Sequence, residues 1–546
     1  MSLIRAFGLV VVLMGLEASA ARAEDVSRHE AARFLIQASF GATQPSIASV
    51  QRLGYGGWIE AQFDAHGPTA RERFGERLYR RPRIAGRHFR DFFWERALYG
   101  EDQLRMRVMF ALSQIVVIAS DDVDSYQPVA FANYLDMLHR ASFGNYCDLV
   151  REVTMSPMMA HYLTYYGNMK ADPETGRAPD ENYAREVMQL FTIGLEELNL
   201  DGSPRGQETY TARDVEGLAA VFTGLASPAS EFAKARLRFA TADAPLTGYP
   251  AFHEPGPKRF LGTTIPGGLS AEESVSRALD HLLAHPNVAP FIARQLIQKL
   301  VVSNPSASYI ERVATVFNEG RFTMPSGKVV GAGRRCDMKA TVSAILLDPE
   351  ARDRAYRADP TYGKIREPVL RIASIIRALS DPAATAPEDA APRDTEVLRM
   401  RHASHNQLVF SPPSVFGFYR PGYVAAGTEA ARAGLVAPEM QVFTSEHAIA
   451  QHGLVQMLLR GQAPEFFARD DARLVAAAMD APRLVGMLDL QLTAGRLSRK
   501  NRRRIIAAVR EIWFPFDGER RNARLMARVA LATAMIMSTP EFIVQI

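Results

Sequence analysis

The stretch that most limits what this chain can become is "DQLRMRVMFALSQIVVIAS", from Asp102 to Ser120. Leu104, Val108, Leu112 and Ile115 recur at the spacing of one helix face, and Met109, Phe110 and Val116 widen that face until little of the circumference is left for water. The pattern predicts a helix over Asp102–Ser120 that is buried nearly all round. Such a helix needs neighbours on several sides, and the rest of the sequence supplies helices rather than strands.

In "SRHEAARFLIQASFG", Ala32, Leu35 and Ile36 share a helical face, Ser27 and Glu30 have capping-box spacing, and Gly41 is a stop signal. "HPNVAPFIARQLIQKLVVSNPSASYIERVATVFNEG" reads as two helices. The first ends near Val302; Asn304 as N-cap and Pro305 at the first turn open the second, and Gly320 closes it. "DMKATVSAILLDPEAR" and "EPVLRIASIIRALSDP" are further helices, as are "EHAIAQHGLVQMLLRG", "RKNRRRIIAAVREIWF" and "RLMARVALATAMIMSTPEF" towards the C-terminus. Strand-like alternation is confined to "RLRFATA" (Arg236 to Ala242) and "GKVVGAG" (Gly327 to Gly333). The fold class is therefore mainly α: a multi-helix globular fold with long Pro- and Gly-rich loops and at most a small β-hairpin. The composition of "SDPAATAPEDAAPRDT" suggests a flexible linker at 381–395, between a helical N-terminal part, 24–380, and a helical C-terminal part, 396–546.

The first residues, "MSLIRAFGLVVVLMGLEASAARAED", have the form of a secretory signal over 1–23. Arg5 precedes an apolar run, Ala6 to Leu16, and Ala21 and Ala23 are the small residues of a cleavage site. That run is too short to span a bilayer, and no later apolar run is long enough for an integral membrane anchor. The expectation is an exported protein, periplasmic or secreted. A formal net charge of +4 over 546 residues leaves no electrostatic footprint for nucleic acid. Cys147 and Cys336 are the only cysteines, so an oxidising compartment permits one disulfide if their Cα atoms come within about 7 Å; two buried thiols are the alternative.

The common catalytic signatures, G-x-S-x-G, H-E-x-x-H, the P-loop and G-x-G-x-x-G, are missing from the sequence. The close histidine pairs, His281 with His285, His402 with His405 and His447 with His452, suit structural positions better than metal ligation. The run "RKNRRR" (Arg499 to Arg504) reads as a solvated helix face or as a contact for an anionic partner. "ELNLDGSPRGQE" places Glu197, Asn199, Asp201 and Glu208 at positions 1, 3, 5 and 12 around Gly202, the spacing of a calcium loop between helices. Pro204 and Arg205 depart from that pattern, and an ordinary Asp-Gly turn is the alternative.

The densest polar cluster is "DENYAREVMQLFTIG", from Asp180 to Gly194. On a helix, Asn182, Glu186 and Gln189 share a polar arc, Tyr183, Val187, Leu190 and Phe191 a core arc, and Glu181 and Arg185 form an i,i+4 pair. The structural reading is that Asp180 caps the helix and the cluster anchors it. The functional reading has Asn182 and Glu186 meet His253 and Lys258 of "HEPGPKRFLG" in a pocket. Asn182, Glu186 and His253 would then serve acid/base hydrolysis or bind a metal, with Arg185 and Lys258 holding substrate, or the cluster would hold a carboxylate, sulfate or sugar without reacting.

Eight stretches together carry a resemblance: "AARFLIQASFGATQ", "DQLRMRVMFALSQIVVIAS", the long run from "SFGNYCDLVREVTMSPMMAHYL" through "APDENYAREVMQLFTIGLEELNLDG", "YTARDVEGLAAVFTG", "HPNVAPFIARQLIQKLVVSNPS", "GKIREPVLR", "PPSVFGFYRPGY" and "STPEFIVQI". The chain resembles the bacterial family DUF1800 from about residue 28 to 546. The resemblance implies a large, mostly helical exported protein, with no activity to carry over. It also suggests an exported sulfatase- or phosphatase-like protein as a working partner. The chain departs from the family in having Ser156 where a histidine is usual. Two functions follow as expectations: a hydrolase-type enzyme on cell-envelope or extracellular polymers, or a non-catalytic exported binding or assembly protein.

Overall fold

Gln103–Ser113 is a helix in which every residue from Gln103 to Leu112 is buried. It packs against four longer helices, Gln44–Asp64, Gly86–Tyr99, Pro128–Ala141 and Val288–Leu300, which is the enclosure its all-round apolar surface requires. It ends earlier than the periodicity predicts. The Gln114 N–H turns back to the Ala111 and Leu112 carbonyls, and Ile115 to Ile118 stay buried without continuing the helix. The computed structural model describes residues 26–79, 84–119, 128–229, 231–232, 243–381, 407–444, 453 and 469–546. The signal-like segment 1–23, the strand candidate Arg236 to Ala242, nearly all of the linker and of "EHAIAQHGLVQMLLRG", and His402, His405, His447 and His452 lie outside the described residues.

Around the buried helix the fold is mainly α. Val288–Leu300, Ala307–Glu319 and Met338–Leu347 pack in succession, and a C-terminal group, Asp471–Ala478, Ala481–Thr493, Arg499–Glu511 and Glu519–Met537, packs among itself. Ala481–Thr493 also lies against Arg28–Ala38 and Pro368–Leu379, so the two ends of the chain share one core. The last strand, Val544–Gln545, pairs antiparallel with Lys364–Ile365, and the Arg33 guanidinium donates to the Ile546 carbonyl at 3.0 Å. Apart from isolated bridges, the β-strands among the described residues pair in two-stranded sheets; the "GKVVGAG" candidate contributes Val329–Val330, paired with Phe322–Thr323. No helix among the described residues is long and apolar enough to cross a membrane.

Two local signals resolve differently from their sequence reading. Ser306, not Asn304, caps Ala307–Glu319 by accepting the Tyr309 N–H, because Asn304 is engaged in paired hydrogen bonds of 2.9 Å with the Val436 backbone. Ser27 accepts the Glu30 N–H as a cap should, while the Glu30 carboxylate faces Arg33 and Arg354. Cys147 and Cys336 are joined as a disulfide across 189 residues, their Cα atoms 5.7 Å apart. The bond reinforces a contact that already includes Tyr146 N–H to the Cys336 carbonyl at 2.9 Å. A bridge closing so long a loop contributes about 2–4 kcal/mol, largely by restricting the unfolded chain.

Candidate functional site

The helix Asn182–Gln189 buries Tyr183 and Val187 and exposes Arg185 as its spacing predicts, but Glu186 of the polar arc is buried and Leu190 of the core arc is half-buried. Tyr183, Val187 and Phe191 are buried in the core, and the Tyr183 hydroxyl meets the Thr154 hydroxyl at 2.7 Å. Asp180 caps the helix start, accepting the Asn182 N–H at 2.8 Å through one oxygen and the Thr164 hydroxyl at 2.9 Å through the other. Asn182 donates to Thr164, and Arg185 pairs with Glu181 at 3.0 Å on the exposed face. Glu186 is buried with one carboxylate oxygen lacking a hydrogen-bond partner; burial pushes its carboxyl up and Arg185 pulls it part of the way back.

His253 and Lys258 belong to a different network. His253 Nδ1 lies 2.9 Å from the Thr223 carbonyl, which assigns the proton to Nδ1 and leaves Nε2 to accept from Lys258 Nζ at 3.0 Å and the Ser274 hydroxyl at 3.1 Å. Burial lowers the pKa of both groups, and each is at most 3 % exposed. Neither hydrogen bond nor ion pair joins Asn182 or Glu186 to His253 or Lys258. Asn182 and Glu186 take their contacts from one set of neighbours, and His253 and Lys258 from another.

The calcium-loop spacing folds as a β-hairpin, Glu196–Leu198 against Pro204–Glu208, not as a loop between helices. Its oxygens serve the turn: Asp201 accepts the Ser203 N–H at 2.9 Å and the Ser203 hydroxyl at 2.5 Å. Asn199 holds Arg205 at 3.0 Å, and Glu197 lies 3.9 Å from the same guanidinium. With Asp201 engaged by the turn and Asn199 and Glu197 turned to Arg205, no group of three or more His, Cys, Asp or Glu side chains that could hold a metal ion is gathered among the described residues, there or elsewhere.

The richest chemistry lies elsewhere, at the C-terminal end of Val288–Leu300. A buried helix end leaves carbonyls that need donors, and remote segments of the chain supply them. Arg107 donates to the Lys299 carbonyl at 2.6 Å, Lys364 to the Gln298 and Lys299 carbonyls at 2.7 and 3.1 Å, and Gln545 to those of Leu300 and Val301 at 2.8 and 3.0 Å. Cations suit this end of the helix dipole as well. Lys364 also pairs with Glu367 at 3.5 Å and Glu439 at 3.2 Å. Glu367 in turn accepts from Gln114 at 2.9 Å and Gln407 at 2.7 Å. Burial alone would raise the Glu367 carboxyl, but Lys364, Lys299 and Arg107 hold it down at about 2.

Lys299 reaches from this network to a cavity of about 330 Å³. Its Nζ donates to Gln114 Oε1 at 3.0 Å and sits 3.8 Å from the Tyr419 ring centre. Burial lowers its pKa to about 8, with Glu367 and Glu439 opposing the shift and Lys364 and Arg107 adding to it. Tyr419, also lining the cavity, is pushed up by burial and by Glu367 and Glu439, so its hydroxyl keeps its proton. Arg294, half-buried on the cavity wall, has no hydrogen-bond or ion-pair partner among the described residues. Leu190, Leu195, Phe291 and Val415 supply apolar wall, and Glu196 and Arg420 stand at the exposed rim. Gly194 makes the close approach possible: its φ is 73°, and a Cβ there would lie 2.6 Å from the Phe291 ring.

Four of the stretches that carried the resemblance line this cavity, and two more back it through Lys364, Glu367 and Gln545. Sequence reading singled out none of these residues as functional. The available signal was a cation in an apolar helical run, Lys299 in "RQLIQKLVV", and paired charges ahead of another, Lys364 and Glu367 in "GKIREPVLR".

A model of the DUF1800 family, described as a protein of unknown function, matches residues 33–544, and the chain belongs to that family. No curated protein and no solved structure matches it.

Proposed function

We propose that this DUF1800 member works outside the cytoplasm as a binding protein for an anionic ligand with an apolar body, seated in the Lys299 cavity. Arg294 carries the reading: a half-buried guanidinium facing an apolar-walled cavity without a carboxylate to pair with. Behind it stand three buried cations, Arg107, Lys299 and Lys364, against two buried carboxylates, Glu367 and Glu439, so the wall retains positive charge. A carboxylate, sulfate or phosphate group would take the Arg294 fork bidentately and Lys299 as a point charge. The sulfatase- or phosphatase-like partner suggested by the resemblance would suit a sulfated or phosphorylated ligand derived from envelope or extracellular polymers.

Hydrolysis is the second reading, favoured by the lowered pKa of Lys299 beside an open cavity. Above about pH 8 its neutral amine could take a proton from an attacking water. One set of probes separates the two: 4-nitrophenyl sulfate, 4-nitrophenyl phosphate and octanoate, followed by calorimetry and by nitrophenolate release. For a binding protein, affinity falls as pH rises through about 8, where Lys299 loses its charge, and no nitrophenolate appears. For a hydrolase, release rises over the same interval. Arg294→Ala should weaken binding roughly 10- to 100-fold, the ~1.5–3 kcal/mol of a charge-assisted hydrogen bond, without lowering Tm. Failure of all three probes to bind, or binding indifferent to Arg294→Ala, would overturn the assignment.

A further inference from the structure

The helices Arg499–Glu511 and Glu519–Met537 pack against each other and are joined by residues 512–518, "IWFPFDG". In that loop Trp513 is 70 % exposed and Phe516 94 % exposed. Both belong to a residue type that normally contributes its large apolar area to a core. The loop is not loosely held. Arg528 donates to the Ile512 carbonyl at 2.8 Å and the Ala478 carbonyl at 3.1 Å, and its guanidinium lies 4.5 Å from the Phe514 ring centre. Bridging Ala478 and Ile512 brings the next residues, Met479 and Trp513, into one neighbourhood, and Met479 is itself 47 % exposed. The result is a braced loop displaying apolar groups to solvent.

Cations lie along the two helices that carry it. Arg503, Arg504 and Arg510 on the first helix, and Arg520 and Arg524 on the second, are exposed and have no ion-pair partner among the described residues. Glu511 and Asp517 are the exposed acids between them among the described side chains. A second copy of the chain would present the same positive patch and be repelled. A soluble polyanion would use the arginines but leave Trp513 and Phe516 in water. A bilayer with anionic headgroups satisfies both, because its interface offers phosphates at one depth and an apolar phase just below.

We infer that this end of the C-terminal helix pair is a docking surface for an anionic lipid membrane, with Trp513 and Phe516 entering the interface and the five arginines meeting headgroup phosphates. The proposal stands independently of the Lys299 cavity. The chain has three tryptophans, and Trp58 and Trp94 are buried, so a change in tryptophan emission on binding reports on Trp513. The full chain should co-sediment with phosphatidylcholine vesicles containing phosphatidylglycerol, with a blue shift in emission, and not with phosphatidylcholine alone. Trp513→Ala with Phe516→Ala should lower partitioning roughly tenfold or more. Arg503→Glu with Arg504→Glu should abolish it, as should high salt. All these positions are exposed, so the variants should keep the parent far-UV spectrum and Tm. The inference is overturned by absence of sedimentation with the anionic vesicles or by partitioning indifferent to the aromatic pair. It is equally overturned if heparin binds the chain and vesicles do not, or if the blue shift follows protein concentration without lipid, which would mark a contact between copies.

Discussion

Lys299 and Lys258 are both buried lysines with lowered pKa, each with hydrogen-bonding partners, yet they occupy very different places. Lys258 ends among His253 and Ser274, and its hydrogen bonds go to groups already satisfied by one another. Lys299 stands between a network of charges and a cavity. Burial perturbs titration in both, so a perturbed group marks a site only where space for a ligand adjoins it. That is the physical reason to look for function at Lys299 and to read the His253 cluster as a way of closing the core.

The comparison is broken most severely by removing a carboxylate from the Lys299 side. Glu367→Gln leaves Arg107, Lys299 and Lys364 facing Glu439 alone, and loss of one partner from a buried ion network costs about 3–5 kcal/mol. Chemical denaturation should show it. Because Glu367 titrates at about 2 when folded against 4.5 when free, its contribution is full above 4.5 and is lost as pH falls towards 2. Glu367→Gln should flatten that part of the acid limb. Lys299 costs stability at neutral pH where Glu367 contributes it: between about 8 and 10.5 the unfolded chain holds the extra proton, so that cost is relieved as pH rises. A pH titration of Lys299→Met should lack that relief.

The same treatment of the other lysine should do little. Lys258→Met conserves volume and strands no carboxylate, since His253 Nε2 and Ser274 remain 3.1 Å apart as mutual partners. The expected change is within about 1 kcal/mol. A loss as large as that at Glu367 would show the two lysines to be alike after all.

Much of the fold was legible because helix periodicity and buried apolar faces are local. The Gln103–Ser113 helix, the Gly320 stop and the burial of Tyr183 and Val187 on Asn182–Gln189 all follow from residues within a few turns of each other. The cap at Ser306 was missed because Asn304 is claimed by Val436, which lies 132 residues away. The candidate site was missed for the same reason on a larger scale. Arg107, Gln114, Lys299, Lys364, Glu367 and Glu439 each read as an isolated polar residue in its own segment, and their convergence exists only in three dimensions.

The smallest effect concerns the stretch that looked most chemical. Arg185, expected as a substrate-binding residue, lies on the surface with Glu181 at 3.0 Å, both side chains more than 40 % exposed. An exposed i,i+4 pair of this kind contributes about 0.3–0.5 kcal/mol, so Arg185→Ala should move the denaturation midpoint only slightly and leave ligand binding at the cavity unchanged. Should Arg185→Ala instead weaken binding as much as Arg294→Ala, the polar face of the Asn182–Gln189 helix would be part of the same site, entered by way of Gln189 and Leu190, which line the cavity. The distinction drawn between an anchoring helix and a binding wall would then have to be withdrawn.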